Sequence, residues 1–213
     1  MKRYFAAAST ATLLGASLLL SNTAQASDDK DYSWLIRGRA ITVSPDESAD
    51  ISVIGGDVDI DTSVVPELDI SYFFTKHIAT ELILATTKHN ATATGTSLGD
   101  VDLGSVWLLP PTLTVQYHFY PTEKFKPYVG AGVNYTYFYN DKHGAAINNI
   151  SYDNSFGGAL QAGMDYNLDE HWLLNFDVKK IWINSDVSIN SGAIQADVDI
   201  DPWVVGVGVG YRF

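Results

Sequence analysis

The 213-residue chain has no cysteine and few basic residues, with 13 lysines and arginines against 25 aspartates and glutamates. Without cysteine it can form neither a disulfide scaffold nor a thiolate metal site. Its formal net charge of −12 argues against nucleic-acid binding, which needs a basic surface. Beyond the N-terminal region there is no run of about 18 apolar residues, which excludes a helical membrane protein. The hydrophobic content of 46% is nevertheless enough for a packed domain, so we expect a folded chain.

Residues 1–26 have the organisation of a cleaved signal peptide. Lys2 and Arg3 give a positive start, residues 5–20 are mostly apolar, and Ala24-Gln25-Ala26 is a small-residue cleavage site. An N-terminal anchor helix fits less well, because the apolar part is short. We therefore expect the protein to be exported and residues 27–213 to form a single domain.

A period of two dominates the rest of the chain, with apolar side chains at every second position. Such alternation predicts β-strands. It occurs in eight segments, near residues 34–40, 68–74, 78–84, 112–120, 129–137, 160–166, 174–182 and 203–213. Three connections between these segments are short turns. The other four are predicted to be long loops: residues 44–63, 89–111, 140–153 and 184–201.

The positions between the apolar residues distinguish a soluble barrel from a membrane barrel. They are mostly Gly, Ala, Ser, Thr, Asn and Gln, which suit the crowded interior of an eight-stranded barrel better than a water-facing surface. Aromatic residues gather at both ends of the apolar rows, as in the interfacial girdles of transmembrane barrels. The sequence therefore predicts an all-β fold. We expect an eight-stranded antiparallel transmembrane β-barrel with short periplasmic turns and long extracellular loops, in the bacterial outer membrane.

Charged residues also occur at inward-facing positions, where desolvation requires them to be paired. Arg37, Arg39, Glu67, Asp69 and Glu81 lie in the half of the first three strands nearer the short turns, and we interpret them as a lumen charge network. Such a layer is a poor path for an apolar solute. Four more charges share the inward phase: Asp165, Asp177, Lys179 and Arg212. The long loops, in contrast, carry fourteen acidic residues and one basic residue.

Four apolar residues interrupt the polar, inward-facing phase: Leu35, Ile41, Ile83 and Ile181. We interpret them as the lining of an apolar lumen. Internal packing is an equally good explanation for large apolar side chains inside a small barrel, so both readings stay open.

Two features of the sequence suit an opening of the barrel. Pro66 and Pro110 cannot donate to a β-ladder and are candidates for a lateral gap in the wall, although prolines that merely start a strand would look the same. Trp107, Leu108 and Leu109 are candidates for an apolar mouth, or for a small core of the loop itself.

The sequence gives no reason to expect a metal ion or another cofactor. Its five histidines lack the spacing of a metal site. The run Asp57-x-Asp59-x-Asp61 resembles the start of a calcium loop, but Thr62 and Leu68 occupy the positions that require Gly and Glu. We expect no enzyme activity either, because nothing in the sequence orders a Ser, a His and a carboxylate at one rim, as an outer-membrane acyltransferase would need.

Several motifs resemble the OmpW family of outer-membrane proteins in their order and spacing. The most specific are Pro127-Tyr128-Val129-Gly130-Ala131-Gly132 and the pair Asp201-Pro202-Trp203 and Gly210-Tyr211-Arg212-Phe213. The segments around Pro110-Pro111-Thr112-Leu113 and Gln116-Tyr117-His118-Phe119 fit as well. The resemblance covers nearly all of residues 27–213, with little contribution from the long loops. The terminal Phe213 is similar to the signal that the barrel-assembly machinery reads.

The resemblance implies a narrow channel for the passive passage of small hydrophobic molecules, which leave sideways through the barrel wall into the membrane. The implied partners are outer-membrane lipid and lipopolysaccharide, the assembly machinery through Phe213, small hydrophobic solutes, and phage or colicin. The alternative is a structural or adhesive barrel, or a phage or colicin receptor, with a closed lumen.

Overall fold

The computed structural model describes residues 33–213, so the expected signal peptide, residues 1–26, lies outside the described residues. The described chain contains fifteen strands: β1 (Trp34–Ser44), β2 (Ser48–Ile51), β3 (Asp57–Ile60), β4 (Ser63–Phe73), β5 (Ile78–Ala85), β6 (Thr87–Thr96), β7 (Gly99–Leu109), β8 (Thr112–His118), β9 (Phe125–His143), β10 (Ile150–Tyr152), β11 (Ser155–Asn167), β12 (Trp172–Ile181), β13 (Asn184–Ile189), β14 (Ile194–Asp199) and β15 (Trp203–Arg212). None of the described residues belongs to a helix long and apolar enough to cross a bilayer.

Eight of these strands close into an antiparallel barrel. Their order around the barrel is β1-β4-β5-β8-β9-β11-β12-β15, and β15 pairs with β1 to complete the circle. The closing ladder joins ten residue pairs, from Leu35↔Arg212 to Ser44↔Trp203. These eight strands contain the eight segments of alternating sequence, so the predicted fold class is confirmed.

The barrel has its apolar residues on the outside. On β8, Leu113 and Val115 are 51% and 61% exposed, whereas Thr112, Thr114 and Gln116 are buried. Because an eight-stranded barrel has room inside only for side chains, the polar row fills the interior and the apolar row faces lipid.

The four long connections are more regular than the sequence predicted. They contain seven further strands, which extend the protein beyond the barrel. β3, β6 and β7 form a sheet with the upper half of β9, and β10, β13, β14 and β2 form a second, four-stranded sheet. In the second sheet Val187 and Ile189 are buried while Asp186 is exposed. This is the same two-residue period with the opposite polarity, because the outer face of these sheets meets water.

Candidate functional site

The centre of the barrel is a layer of buried charges around two arginines of β1. Arg37 Nη1 lies 2.8 Å from Glu81 Oε1, and Arg37 Nη2 lies 2.7 Å from Asp165 Oδ2. Arg37 also donates from Nη1 to Ser71 Oγ at 2.8 Å. All these side chains are buried. Such ion pairs replace part of the hydration that the charges lose in the lumen.

Arg39 and Lys179 form the ion pairs on the side of this layer that faces the long connections. Arg39 Nη1 lies 2.8 Å from Asp69 Oδ2 and 3.1 Å from Glu67 Oε1. Lys179 Nζ lies 2.7 Å from Glu67 Oε1 and 3.0 Å from Asp177 Oδ1. The structure therefore brings together the five residues of the expected lumen charge network: Arg37, Arg39, Glu67, Asp69 and Glu81.

Tyr128 connects opposite walls of the barrel within this layer. Its hydroxyl donates to Asp177 Oδ2 at 2.7 Å and accepts from Arg39 Nη2 at 3.2 Å. β9 and β1 are four strands apart in either direction around the barrel, so the contact with Arg39 spans the lumen. Tyr128 was not among the predicted site residues, although its place in the inward-facing phase was an available signal.

Two glutamines complete the layer. The side-chain amides of Gln116 and Gln161 donate to Glu81 Oε2 at 2.6 Å and 2.8 Å. They were not predicted as site residues either, because neutral polar residues are common throughout the inward phase. Together the charged and polar side chains fill the half of the barrel nearer the short turns, and an apolar solute would have to cross them to move along the axis.

Above this layer large apolar side chains replace the charged ones, beside the neutral polar residues Thr112, Asn134 and Thr136. A cavity of about 30 Å³, which we call the lower chamber, lies on the side of the long connections. The acidic side chain of Glu67 also lines the lower chamber, so Glu67 belongs both to this chamber and to the charged layer. The lining includes Ile41, Ile83, Ala85, Pro110, Ile181 and Val204.

Leu35, the fourth member of the predicted apolar set, does not line this chamber. It is fully buried, but it precedes Arg37 on β1 and pairs with Ser71 and Arg212 near the short turns. It therefore lies on the opposite side of the charged layer. Ile41, Ile83 and Ile181 are the members of the predicted apolar set that the structure places in one cavity.

A second cavity of about 40 Å³, the upper chamber, lies between the two sheets that extend beyond the barrel. His89, Leu108 and Ile200 line both chambers, so the chambers adjoin. The rest of the upper lining is mainly aliphatic and aromatic and includes Val58, Leu103, Val106, Phe138, Val187 and Ile189. The phenol of Tyr152 also faces this chamber, and burial, followed by the nearby Asp141 carboxylate, raises its pKa.

The expected mouth residues divide between two faces of β7. Leu108 is buried and lines both chambers, but its neighbour Trp107 is partly exposed and Leu109 is 38% exposed. Because successive side chains of a strand point to opposite faces, Trp107 and Leu109 belong to the outer surface. Pro66 is exposed as well and does not line either chamber, whereas Pro110 lines the lower one.

The wall beside the lower chamber lacks ladder pairing. The ladder between β5 and β8 ends at Ile83↔Thr112, and pairing resumes between β6 and β7 at Thr87↔Leu108. In the described part of the chain no ladder pair joins residues 84–86 to residues 109–111. Pro110 and Pro111 have no N–H to donate there. We call this interruption the wall gap.

Residues 30–213 match the sequence profile of the OmpW family. The chain is 49% identical to an uncharacterized outer-membrane protein of Sinorhizobium fredii, over 84% of this chain and 80% of the relative. It is 27% identical to the dibenzothiophene metabolism operon protein PahQ of Pseudomonas aeruginosa, over 86% and 90%. The crystal structure of the outer membrane protein OprG from Pseudomonas aeruginosa superposes with a TM-score of 0.78 at 33% identity, covering 85% of this chain and 95% of that one.

Proposed function

Since the chain belongs to the OmpW family and forms a barrel of the bacterial outer membrane, we propose that it is a passive channel for small hydrophobic molecules. The observation that carries this proposal is the pair of adjoining apolar chambers above the charged layer. A solute would enter the upper chamber from outside and continue into the lower one. Each square ångström of apolar surface removed from water favours this entry by about 25 cal/mol.

We further propose that the solute leaves sideways through the wall gap rather than along the barrel axis. Two features support a lateral exit. The lower chamber is lined by Ala85 and Pro110, which border the gap. The axial route, in contrast, would carry an apolar molecule through buried ion pairs that depend on one another for solvation. The relative PahQ belongs by name to dibenzothiophene metabolism, and dibenzothiophene is a solute of the apolar, planar kind that we propose for this chain.

Blocking the wall gap tests the channel. We expect Ala85→Trp to lower the uptake of naphthalene by cells that express the protein by about tenfold, because the indole would occupy the space through which the solute leaves; a tenfold change corresponds to about 1.4 kcal/mol. The matched control is Ala162→Trp, since Ala162 is exposed on the lipid face of β11. Uptake of radiolabelled naphthalene is measured at equal amounts of folded protein. Equal uptake by the two variants and the wild type, or no increase over cells that lack the protein, would contradict the proposal.

Opening the charged layer tests the route. Removing the phenol of Tyr128 breaks the bridge across the lumen, so we expect Tyr128→Ala to raise the ion conductance of the protein in planar bilayers. Naphthalene uptake should change by less than about twofold, because the lateral route avoids this layer. Tyr128→Phe keeps the ring and is the control for packing. A parallel rise of conductance and naphthalene uptake would instead indicate axial passage.

A further inference from the structure

His89 is a polar side chain at the junction of the two chambers. It lies on β6, is 3% exposed, and lines both the upper and the lower cavity. Polar groups inside proteins are almost always hydrogen-bonded, and a few polar groups in an apolar pocket commonly fix the orientation of a ligand. The partners of the two ring nitrogens therefore indicate what the junction can bind.

The Nδ1 atom of His89 is already used. It lies 2.7 Å from the backbone oxygen of Asp61, and because a carbonyl can only accept, Nδ1 must carry the proton and donate. The Asp61 carboxylate is itself held by Asn90, whose backbone N and Nδ2 donate to it at 2.7 Å and 2.6 Å. These contacts fix the connection between β3 and β6 and, with it, the orientation of the imidazole.

The Nε2 atom is left as an acceptor. In the neutral ring with the proton on Nδ1, Nε2 carries a lone pair. It forms no hydrogen bond within residues 33–213, and the imidazole lines both chambers, so Nε2 is the acceptor that His89 can offer at their junction. Three other polar side chains line the lower chamber. The Glu67 carboxylate pairs with Arg39 and Lys179, the Thr112 hydroxyl donates to the Pro110 carbonyl at 3.0 Å, and the Thr87 hydroxyl lies on the same face of β6 as His89.

We propose that His89 Nε2 accepts a hydrogen bond from a single hydroxyl group on an otherwise apolar solute. The inference rests on the proposed function and narrows its substrate class to alcohols and phenols. The hydroxyl meets the acceptor at the junction of the chambers. The apolar body contacts their aliphatic and aromatic lining, and these side chains must move apart to admit it, because cavities of about 40 and 30 Å³ are smaller than such a solute. A carboxylate head is disfavoured, because it offers no proton to Nε2 and would lose its hydration in a largely apolar chamber.

Two solutes that differ by one hydroxyl test this assignment: 1-naphthol and naphthalene. Their dissociation constants are measured by fluorescence on the protein in lipid nanodiscs at pH 8, where imidazole is ordinarily neutral, with empty nanodiscs subtracted. His89→Asn retains an amide that can donate to the Asp61 carbonyl but has no acceptor at the Nε2 position. We expect it to weaken 1-naphthol binding about fivefold, the effect of one typical hydrogen bond, and to leave naphthalene binding within about twofold.

The conservative variant His89→Gln places an amide oxygen near the Nε2 position, so it should restore most of the 1-naphthol affinity. Equal losses for both solutes in His89→Asn would mean that the ring acts only in packing and would overturn the inference. A loss of 1-naphthol affinity in Thr87→Val but not in His89→Asn would overturn it as well. In either case, binding of naphthalene to the wild type leaves the proposed channel function standing. If the wild type binds neither solute, both the channel function and the role of His89 are rejected.

Discussion

Replacing Arg37 with methionine should lower the free energy of unfolding by about 3–5 kcal/mol, because removal of one partner leaves buried charges without compensation. Arg37 donates to three side chains from β4, β5 and β11 at 2.7–3.1 Å. Methionine fills a similar volume, so the loss of stability would come from the unpaired carboxylates of Glu81 and Asp165 rather than from a cavity. Urea unfolding of the protein in lipid vesicles, followed by tryptophan fluorescence, measures the change.

Two variants provide controls for Arg37→Met. Arg37→Lys keeps the charge but cannot form the two-point contact with Asp165. We therefore expect its free energy of unfolding to lie between those of the wild type and Arg37→Met. Arg212 is also an arginine of the inward phase. It contacts the Phe73 ring at 5.3 Å, and no ion pair within the described residues involves it. A loss for Arg212→Met as large as that for Arg37→Met would show that removing any inward arginine, rather than the buried pairing, determines the cost.

The second large effect is expected at Gly132 on β9. A Cβ added there would lie 2.0 Å from the backbone oxygen of Leu113 on the neighbouring strand, which no side-chain rotation can relieve. Closing a small barrel requires strong coiling of its strands, and glycine permits such close approaches of the backbone. We expect Gly132→Ala to destabilise the protein by about 2–3 kcal/mol, as overpacking does elsewhere.

Gly38 offers the matched comparison. A Cβ at this position on the lipid face of β1 meets nothing within 4 Å. Gly38→Ala should therefore change the free energy of unfolding by less than about 0.5 kcal/mol, in line with surface substitutions generally. Both variants are compared in the same urea titration. Equal effects at the two glycines would mean that backbone freedom, rather than the contact between β8 and β9, determines the result.

The barrel could be predicted from the sequence because its two faces meet different surroundings. The apolar rows face lipid and the small polar rows fill the lumen, so each strand carries a strong alternating signal. The additional strands were missed for two reasons. Ser185, Val187 and Ile189 alternate with polar residues as clearly as any barrel strand, but their polarity is that of a soluble sheet. On β6 both faces carry small or polar residues, so the hydropathy of alternate positions differs little and no strand is indicated.

The site could be predicted only in part. Inward charges were identifiable because each interrupts a row of small residues, and the pairing requirement placed them together. The face of a residue follows from the period, but its height relative to the charged layer does not, so the period could not separate Leu35 from Ile41, Ile83 and Ile181. Trp107, Leu108 and Leu109 are three consecutive apolar residues, so alternation could not say which one faces inward. His89 fell within a segment interpreted as a loop.

The closing ladder between β1 and β15 has a consequence for biogenesis. The first strand of the barrel, β1, pairs with β4 early in the chain, but its second partner, β15, is complete only when Arg212 has been delivered. The ion pair between Arg37 and Asp165 likewise joins residues that are 128 positions apart in the chain. A nascent chain crossing the inner membrane from its N-terminus thus has no stable intermediate barrel to adopt. It must be kept unfolded and protected from aggregation in the periplasm until translocation is complete.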